Sequence, residues 1–226
     1  MSLVNNTKLS QRGQIRQAQL TPSSHIRYDS KINGTMKNHK LFILVGPSGV
    51  GKDAVLKGVV RKILGIKRFP SYTTRLPRKG EKEGREHFFV TDKEFQRLIK
   101  EKMLLEYEEV HPGLLYGTPS GKKVETMLAE YNLIKDVDVL GAQSLKNIFL
   151  KDTVIIFIKP PSLQELKNRI LKRGELSEKQ IEERLARIPF EMKTIKMADY
   201  EVVNDQLEKC VDDVTKIILS EIKKET

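Results

Sequence analysis

The segment Gly46–Lys52 reads GPSGVGK and directly follows the apolar run Leu41–Val45. Glycines at this spacing permit backbone angles that turn several N–H groups toward one anion, and Lys52 adds a mobile cation for terminal phosphates. The motif needs a buried strand before it and a helix after it, and residues 54–64 can form that helix. We therefore expect a nucleoside triphosphate to bind here. The predicted contacts are Gly46, Pro47, Ser48, Gly49, Val50, Gly51, Lys52, Asp53 and Ala54.

One position of this loop departs from the usual pattern, because Asp53 stands where Ser or Thr usually ligates Mg²⁺. A carboxylate can also hold Mg²⁺, so we expect the metal with a changed ligand set. Asp136 and Asp138 end an otherwise apolar segment whose only charged residue is Lys135. Strand alternation would place both carboxylates on one face, at the strand end that lines the crevice of an open α/β sheet. The sequence thus predicts a magnesium site that involves Asp53 and Asp136.

Length and composition limit the possible protein classes. A chain of 226 residues fits one α/β domain with insertions. It is 38% hydrophobic and 31% charged, and it has no apolar stretch long enough to cross a membrane. The single cysteine, Cys210, excludes an internal disulfide and favours a reducing compartment. We expect a cytoplasmic protein that has no membrane contact.

The net charge of +11 favours a polyanionic partner, either nucleotides or nucleic acid. Seven basic residues and one acidic residue precede Leu41, so about half of this excess lies before the predicted fold. We therefore favour nucleotides and consider nucleic acid unlikely as a partner. Residues 1–35 are polar and poor in apolar residues, and we expect a disordered, basic, non-catalytic extension. The folded domain is predicted over residues 36–226, and its oligomeric state is left open.

The order of predicted elements indicates an α/β fold with a parallel sheet flanked by helices. Thr153–Lys159 contains five consecutive apolar residues, which is typical of a strand covered on both faces. Two β-like runs within about residues 71–120 predict a small inserted subdomain. A charged helical segment over about residues 162–198 follows the apolar strand.

Local signals locate some of the elements more closely. Residues 68–74 can form an extended segment, and residues 142–150 can form a helix. Thr91 with Glu94 and Ser162 with Glu165 have the spacing of capping boxes, so each pair predicts the start of a helix.

The run Ser71–Arg78 reads SYTTRLPR, and Gly80, Glu81 and Gly84 follow it. This segment resembles the acceptor-phosphate signature of guanylate kinases. The P-loop, Leu105-Glu106, Tyr116-Gly117-Thr118 and Asp136-Val137-Asp138 extend the likeness in order from about Leu41 to the C-terminus. The resemblance implies a P-loop NTPase core with an acceptor-binding insertion and a mobile lid. It also implies a GMP site made of Ser71, Arg75, Arg78, His87, Glu106, Tyr116, Thr118 and Asp138.

Within that implied site, Ser71, Arg75, Arg78 and Tyr116 would hold the acceptor phosphate, and Glu106, Thr118 and Asp138 would read the guanine edge. His87 stands where the family usually has a phosphate-binding tyrosine. The side-chain chemistry agrees, because two arginine forks three residues apart can grip one phosphate. Carboxylates accept hydrogen bonds from the N1–H and amino group of guanine, whereas they oppose the unprotonated N1 of adenine. Taken alone, Glu106 would more often be a solvated strand residue.

The resemblance also implies lid arginines, which match Arg173 and Arg184, with Arg169 as a weaker candidate. Phosphoryl transfer needs distributed positive charge on the migrating group, so the predicted catalytic residues are Lys52, Arg78, Arg173 and Arg184. Asn204 matches the family position near the donor adenine.

The sequence thus predicts an enzyme that phosphorylates GMP with ATP and Mg²⁺. In Asp53 and His87 the chain also resembles ribose 1,5-bisphosphate phosphokinases, which use the same fold on a sugar phosphate, and this is the alternative enzyme. Arg78, Glu106 and Asp138 disfavour it, since an acceptor without a base would not need all three. A further alternative is a guanylate-kinase-like binding module without activity, against which Lys52 and the lid arginines argue.

Overall fold

The computed structural model describes residues 39–78, 80–111, 113–149, 152–172 and 177–224. The predicted extension at 1–35 and the lid residue Arg173 lie outside these ranges. Along the chain the elements are β1 (Leu41–Val45), α1 (Lys52–Lys62), β2 (Ile66–Arg68), β3 (Ser71–Thr73), β4 (His87–Phe89), α2 (Asp92–Lys100), β5 (Leu104–His111), β6 (Leu114–Pro119), α3 (Gly121–Leu128), β7 (Asn132–Asp136), α4 (Val139–Ile148), β8 (Thr153–Lys159), α5 (Leu163–Leu171), α6 (Glu178–Lys193), β9 (Tyr200–Val203) and α7 (Leu207–Lys223). A 3₁₀ turn, Thr194–Met197, follows α6 directly.

The main sheet has the strand order β2-β7-β1-β8-β9, and every neighbouring pair is parallel. Strand β1 is central, and its five side chains are all buried. Phe42 and Leu44 pack with residues of α1, α5, α6 and α7, whereas Leu41, Ile43 and Val45 pack with residues of α3 and α4. Helices thus cover both faces, which explains the continuous apolar sequence of β8. The predicted α/β fold with a parallel sheet is confirmed.

A second, smaller sheet has the order β4-β3-β6-β5 and carries the predicted insertion. The sequence predicted one extended segment over residues 68–74, but the chain changes sheets within it, because β2 ends at Arg68 and β3 begins at Ser71. The N–H of Phe69 still bonds to the carbonyl of Ile134, at 2.9 Å, whereas Pro70 has no N–H with which to continue that pairing. The proline therefore marks the boundary between the two sheets.

Local capping signals set several helix starts. The hydroxyls of Thr91 and Ser162 accept hydrogen bonds from the N–H groups of Glu94 and Glu165, which confirms the two residues as N-caps. Helix α4 was predicted to begin at Ala142 but begins at Val139. The reason is that Asp138 caps it, with its carboxylate accepting from the N–H of Gly141 at 2.7 Å. Within the described ranges, none of the helices is long and apolar enough to span a membrane.

Candidate active site

The candidate site lies at the carboxyl ends of the parallel strands. The phosphate-binding loop follows β1, Arg68 ends β2, Asp136 ends β7, and Asn204 follows β9 directly. In an open parallel sheet, ligands bind in the crevice at this edge. The small sheet and the loop after β3 supply the other side chains that the sequence assigned to an acceptor, except Asp138, which is the N-cap of α4.

The loop after β1 is shaped by contacts that leave no room for side chains at its glycines. Gly46 has a φ of 143°, and a Cβ there would lie 2.3 Å from the carbonyl oxygen of Ile158. Gly51, with a φ of 100°, is the N-cap residue of α1 and presents the helix N-terminus to the crevice. The amides of this turn and the helix dipole together favour an anion.

Lys52 is the first residue of α1, and its side chain folds back over the loop. Its ammonium donates to the carbonyls of Gly46, at 2.5 Å, and Pro47, at 3.2 Å. These contacts hold the positive charge beside the loop amides, where the terminal phosphates of a nucleotide would lie.

Asn204 lies against the same loop rather than in an open base pocket. Its side-chain nitrogen donates to the carbonyl of Val50 at 2.7 Å, and only 5% of the residue is exposed. The carbonyl of Asn204 in turn accepts from Arg169 of α5 at 3.0 Å. Asn204 therefore supports the conformation of the phosphate loop, and its predicted contact with adenine stays a prediction.

The two predicted magnesium ligands converge on one guanidinium. Arg68, whose side chain is 9% exposed, donates to Asp53 at 2.8 Å and to Asp136 at 3.2 Å. Asp53 also pairs with Lys57, at 2.8 Å. Burial tends to raise the pKa of Asp53, but hydrogen bonds from Lys57 and Arg68 outweigh burial and lower it. The carboxylates therefore lie close together, and Arg68 and Lys57 balance their charge.

Arg75 and Tyr116 meet across the small sheet, as the predicted phosphate clamp requires. The Arg75 Nε donates to the Tyr116 hydroxyl at 3.0 Å. The same guanidinium forms a bidentate ion pair with Glu81, in which its two terminal nitrogens donate to the two carboxylate oxygens at 2.9 and 3.0 Å. Burial opposes ionisation of Glu81, but the hydrogen bonds from Arg75 and from the Arg78 backbone, with the charge of Arg75, together outweigh burial and lower the pKa of Glu81 to about 2. Glu81 thus holds the guanidinium beside Tyr116.

Arg78 is placed in the same loop through its backbone, whose N–H donates to Glu81 at 2.7 Å. Its side chain is exposed, and among the described residues no hydrogen bond or ion pair engages its guanidinium. The structure therefore brings Arg75 and Arg78 to one carboxylate, but it places only Arg75 in the clamp with Tyr116.

His87 of β4 packs beside this clamp. Its ring lies edge-on to Tyr116, with 5.8 Å between the ring centres. Burial is the main cause that lowers the pKa of His87, to about 4. The positive charges of Arg68, Arg75 and Lys135 lower this pKa further, whereas the negative charge of Asp136 raises it. The imidazole is therefore neutral near pH 7. Its buried Nδ1 has no hydrogen-bond partner among the described residues.

Glu106 points into the molecule from β5, so the reading of a solvated strand residue is wrong. The hydroxyl of Thr118, on the paired strand β6, donates to its carboxylate, and Thr118 itself is fully buried. Burial raises the pKa of Glu106, the nearby charge of Asp138 adds to the rise, and Thr118 and Lys135 oppose it. The structure thus brings together Glu106, Thr118 and Asp138. Strand β7 ends at Asp136, so the alternation argument does not extend to Asp138, which caps α4 instead.

Ser71 is linked to a buried lysine that the sequence analysis left without a role. The ammonium of Lys135 donates to the Ser71 hydroxyl oxygen, and the lysine is 1% exposed. Burial lowers the pKa of Lys135 to about 8, while Glu106 and Asp136 oppose that shift. The sequence carried one signal for Lys135, because this charged residue directly follows the apolar pair Leu133-Ile134 in a segment predicted to be a strand.

Helix α6 of the predicted lid reaches both halves of the site. Arg184, which is 8% exposed, donates to the Ser48 hydroxyl at 3.2 Å, and Glu191 accepts from the Ser48 N–H at 3.0 Å. Arg187 donates to Glu108 of β5 at 3.0 Å. One helix therefore touches the phosphate loop and the small sheet. Sequence analysis identified Arg184 but missed Arg187 and Glu191, because the sequence does not show which residues a charged side chain on a helix contacts.

A phosphate loop at the edge of a parallel sheet faces a second sheet that bears an arginine–tyrosine clamp and an inward carboxylate. This combination defines a P-loop phosphotransferase that acts on a phosphorylated acceptor, the class of the nucleoside monophosphate kinases.

Comparison with known proteins defines the family more closely. The model of the guanylate kinase family matches residues 38–221. A guanylate kinase of Oceanobacillus iheyensis is 41% identical over 181 residues, which are 80% of this chain and 87% of the relative. One of Caldanaerobacter subterraneus subsp. tengcongensis is 36% identical over 185 residues, covering 82% and 89%. The crystal structure of guanylate kinase from Anaplasma phagocytophilum superposes with a TM-score of 0.64 at 30% identity, covering 81% of this chain and 86% of that one. The chain belongs to the guanylate kinase family.

Proposed function

We propose that this protein transfers the terminal phosphoryl group of ATP to GMP and releases ADP and GDP. The observation that carries this proposal is the position of Glu106. Its carboxylate faces inward beside Thr118 and Asp138, on the same small sheet that holds the Arg75–Tyr116 clamp. A carboxylate at the base end and an arginine at the phosphate end suit a nucleotide whose base offers two N–H donors.

In the proposed reaction, a phosphate oxygen of GMP attacks the γ-phosphorus of ATP, and the bond from that phosphorus to the β–γ bridging oxygen breaks. The loop amides and the N-terminus of α1 bind the donor phosphates, and Lys52 places positive charge beside them. Arg75 and Tyr116 orient the acceptor phosphate, with Arg78 as a further cation from the same loop. The protein contributes position and charge rather than a covalent intermediate.

Magnesium would be held by Asp53 and Asp136 together with the nucleotide phosphates. These carboxylates fit a divalent cation in one respect, since both already converge on the positive charge of Arg68. Bound Mg²⁺ would supply further positive charge to neutralise the phosphate oxygens. Arg68 and Lys57 would then balance whatever negative charge the metal leaves.

The proposed activity is tested by following ADP release with GMP, dGMP, AMP, UMP and ribose 1,5-bisphosphate as acceptors. We expect turnover with GMP and little with AMP or UMP. Preference for ribose 1,5-bisphosphate would identify the sugar-phosphate kinase. Binding of GMP without turnover of any acceptor would identify an inactive binding module.

Replacing Asp53 with serine should change the dependence of turnover on Mg²⁺ concentration. A neutral hydroxyl would replace a charged ligand, so the half-saturating Mg²⁺ concentration should shift by about threefold or more. The measurement is a magnesium titration at constant ATP. Asp212→Ser is the matched control, because Asp212 forms an exposed ion pair with Lys62 at the other end of α1. A titration that matches the wild type would show that Asp53 pairs with Arg68 and Lys57 and is not a magnesium ligand.

Replacing Arg184 with alanine should lower turnover by about tenfold or more while ATP affinity changes far less. We infer that Arg184 reaches the migrating phosphoryl group from the lid, since it already contacts Ser48 of the phosphate loop. A contact made mainly in the transition state lowers kcat rather than ground-state binding. Calorimetry with ATP and steady-state kinetics measure the two effects, with the exposed Arg97→Ala as control. Equal losses in both would assign Arg184 to ground-state binding.

A further inference from the structure

Lys135 is a buried cation that the proposed reaction does not use. It occupies the fourth position of β7, only 1% of it is exposed, and its ammonium lies 5.4 Å from the centre of the Phe69 ring. Burial of an ammonium group is costly unless nearby groups compensate its charge. The carboxylates of Glu106 and Asp136 provide this compensation. A charge placed here at such a cost indicates a role beyond packing.

The hydrogen bond from Lys135 to Ser71 determines which way the serine hydroxyl can act. An ammonium group has three N–H donors and no acceptor, whereas a hydroxyl has one donor and two lone pairs. The Ser71 oxygen must therefore accept from Lys135, as the structure shows. Its own proton is then directed away from the lysine. The Ser71 hydroxyl therefore presents its proton to a ligand, and an acceptor oxygen on that ligand, such as a phosphate oxygen, would match it.

The ammonium group of Lys135 also acts on Glu106, where it favours an acceptor rather than a donor. Glu106 is partly buried beside Asp138, and both circumstances favour its protonated form. The positive charge of Lys135 favours the carboxylate, which accepts hydrogen bonds but cannot donate them. Lys135 therefore orients one donor, at Ser71, and favours one acceptor, at Glu106. This pattern complements guanine nucleotides, whose N–H groups are donors and whose 6-oxo and phosphate oxygens are acceptors.

We propose that Lys135 is a positioning residue of the acceptor site, which orients the Ser71 hydroxyl to donate to the nucleotide and helps to keep Glu106 as an acceptor. Lys135 itself remains covered, and it acts on the nucleotide through these two side chains. The inference rests on the proposed phosphorylation of GMP. It adds a determinant of acceptor selectivity that lies in the main sheet rather than on the acceptor-binding insertion.

A double-mutant cycle tests this role, using the wild type, Lys135→Met, Ser71→Ala and the double variant. We expect Lys135→Met to lower kcat/KM for GMP by about tenfold or more, mainly through KM, because two hydrogen bonds to the nucleotide lose their fixed direction. The preference for GMP over AMP should fall as well. Ser71→Ala should also lower kcat/KM for GMP. The factor by which it does so should be at least about threefold smaller in the Lys135→Met background than in the wild type, since the hydroxyl is no longer oriented.

The matched control is Lys40→Met, which removes another buried lysine from the amino-terminal end of the sheet, where Lys40 pairs with Glu221 at 2.9 Å. It should retain the wild-type KM for GMP. Additive effects of the Lys135 and Ser71 substitutions, or an unchanged preference for GMP over AMP, would overturn the proposal. Lys135→Gln keeps a donor for Ser71, so it should recover part of the coupling between positions 135 and 71. If Lys135→Met is unstable, this variant distinguishes loss of hydroxyl orientation from loss of folding. Absence of GMP turnover in the wild type would instead refute the proposed function.

Discussion

Replacing Lys52 with alanine should lower the turnover of GMP by about a hundredfold to a thousandfold. Its ammonium is held over the phosphate loop by the carbonyls of Gly46 and Pro47, so its charge is placed before the nucleotide arrives. A preorganised cation stabilises charge that develops on the migrating phosphoryl group and needs no reorganisation during the reaction. The measurement is kcat from ADP release at saturating ATP and GMP.

Lys62→Ala provides the control for this substitution, because Lys62 lies in the last turn of the same helix and pairs with Asp212 on the surface. Its turnover should match that of the wild type. Thermal unfolding of Lys52→Ala should show an intact fold, since the bonds of its ammonium to Gly46 and Pro47 lie within the phosphate loop itself. A Lys52→Ala protein with near-normal turnover would refute the proposed phosphate-loop mechanism.

The parts of the fold that the sequence predicted depend on residues that are close along the chain. The hydroxyl of Thr91 caps a helix through the N–H of Glu94, three residues away, and Ser162 does the same with Glu165. The five apolar residues within β8 indicated a strand buried on both faces without reference to its neighbours. Such features can be predicted from the local sequence, because the residues that determine them lie close together along the chain.

The parts of the site that the sequence did not predict depend on contacts between distant segments. Arg68 joins Asp53, 15 residues away, to Asp136, 68 residues away. Lys135 reaches Ser71 across 64 positions, from one sheet to the other. The pattern around Glu106 is compatible with a solvated strand, and only the pairing of β5 with β6 turns its carboxylate toward Thr118. Family resemblance identified Glu106 and Ser71, whereas it gave no role to Arg68 or Lys135.

Replacing Glu106 with glutamine should abolish most of the selectivity for GMP. Sites that match a specific N–H pattern can reject a mismatched substrate by about 10⁴-fold or more, and we expect the wild type to prefer GMP over AMP on this scale. Glutamine keeps the shape of Glu106 but presents an amide N–H₂ where guanine also offers donors. The KM for GMP should therefore rise by about tenfold to a hundredfold.

The affinity of the Glu106→Gln variant for ATP should remain at the wild-type value, because the carboxylate lies on the small sheet and bonds to Thr118 rather than to the phosphate loop. Glu109→Gln is the matched control, since Glu109 lies on the same strand with an exposed side chain that accepts from the N–H of Gly113. Kinetics with GMP and AMP, together with calorimetry for ATP, separate these effects. If the variant retains the wild-type ratio of kcat/KM for GMP over AMP, Glu106 does not read the base, and selectivity must come from other residues of the acceptor site.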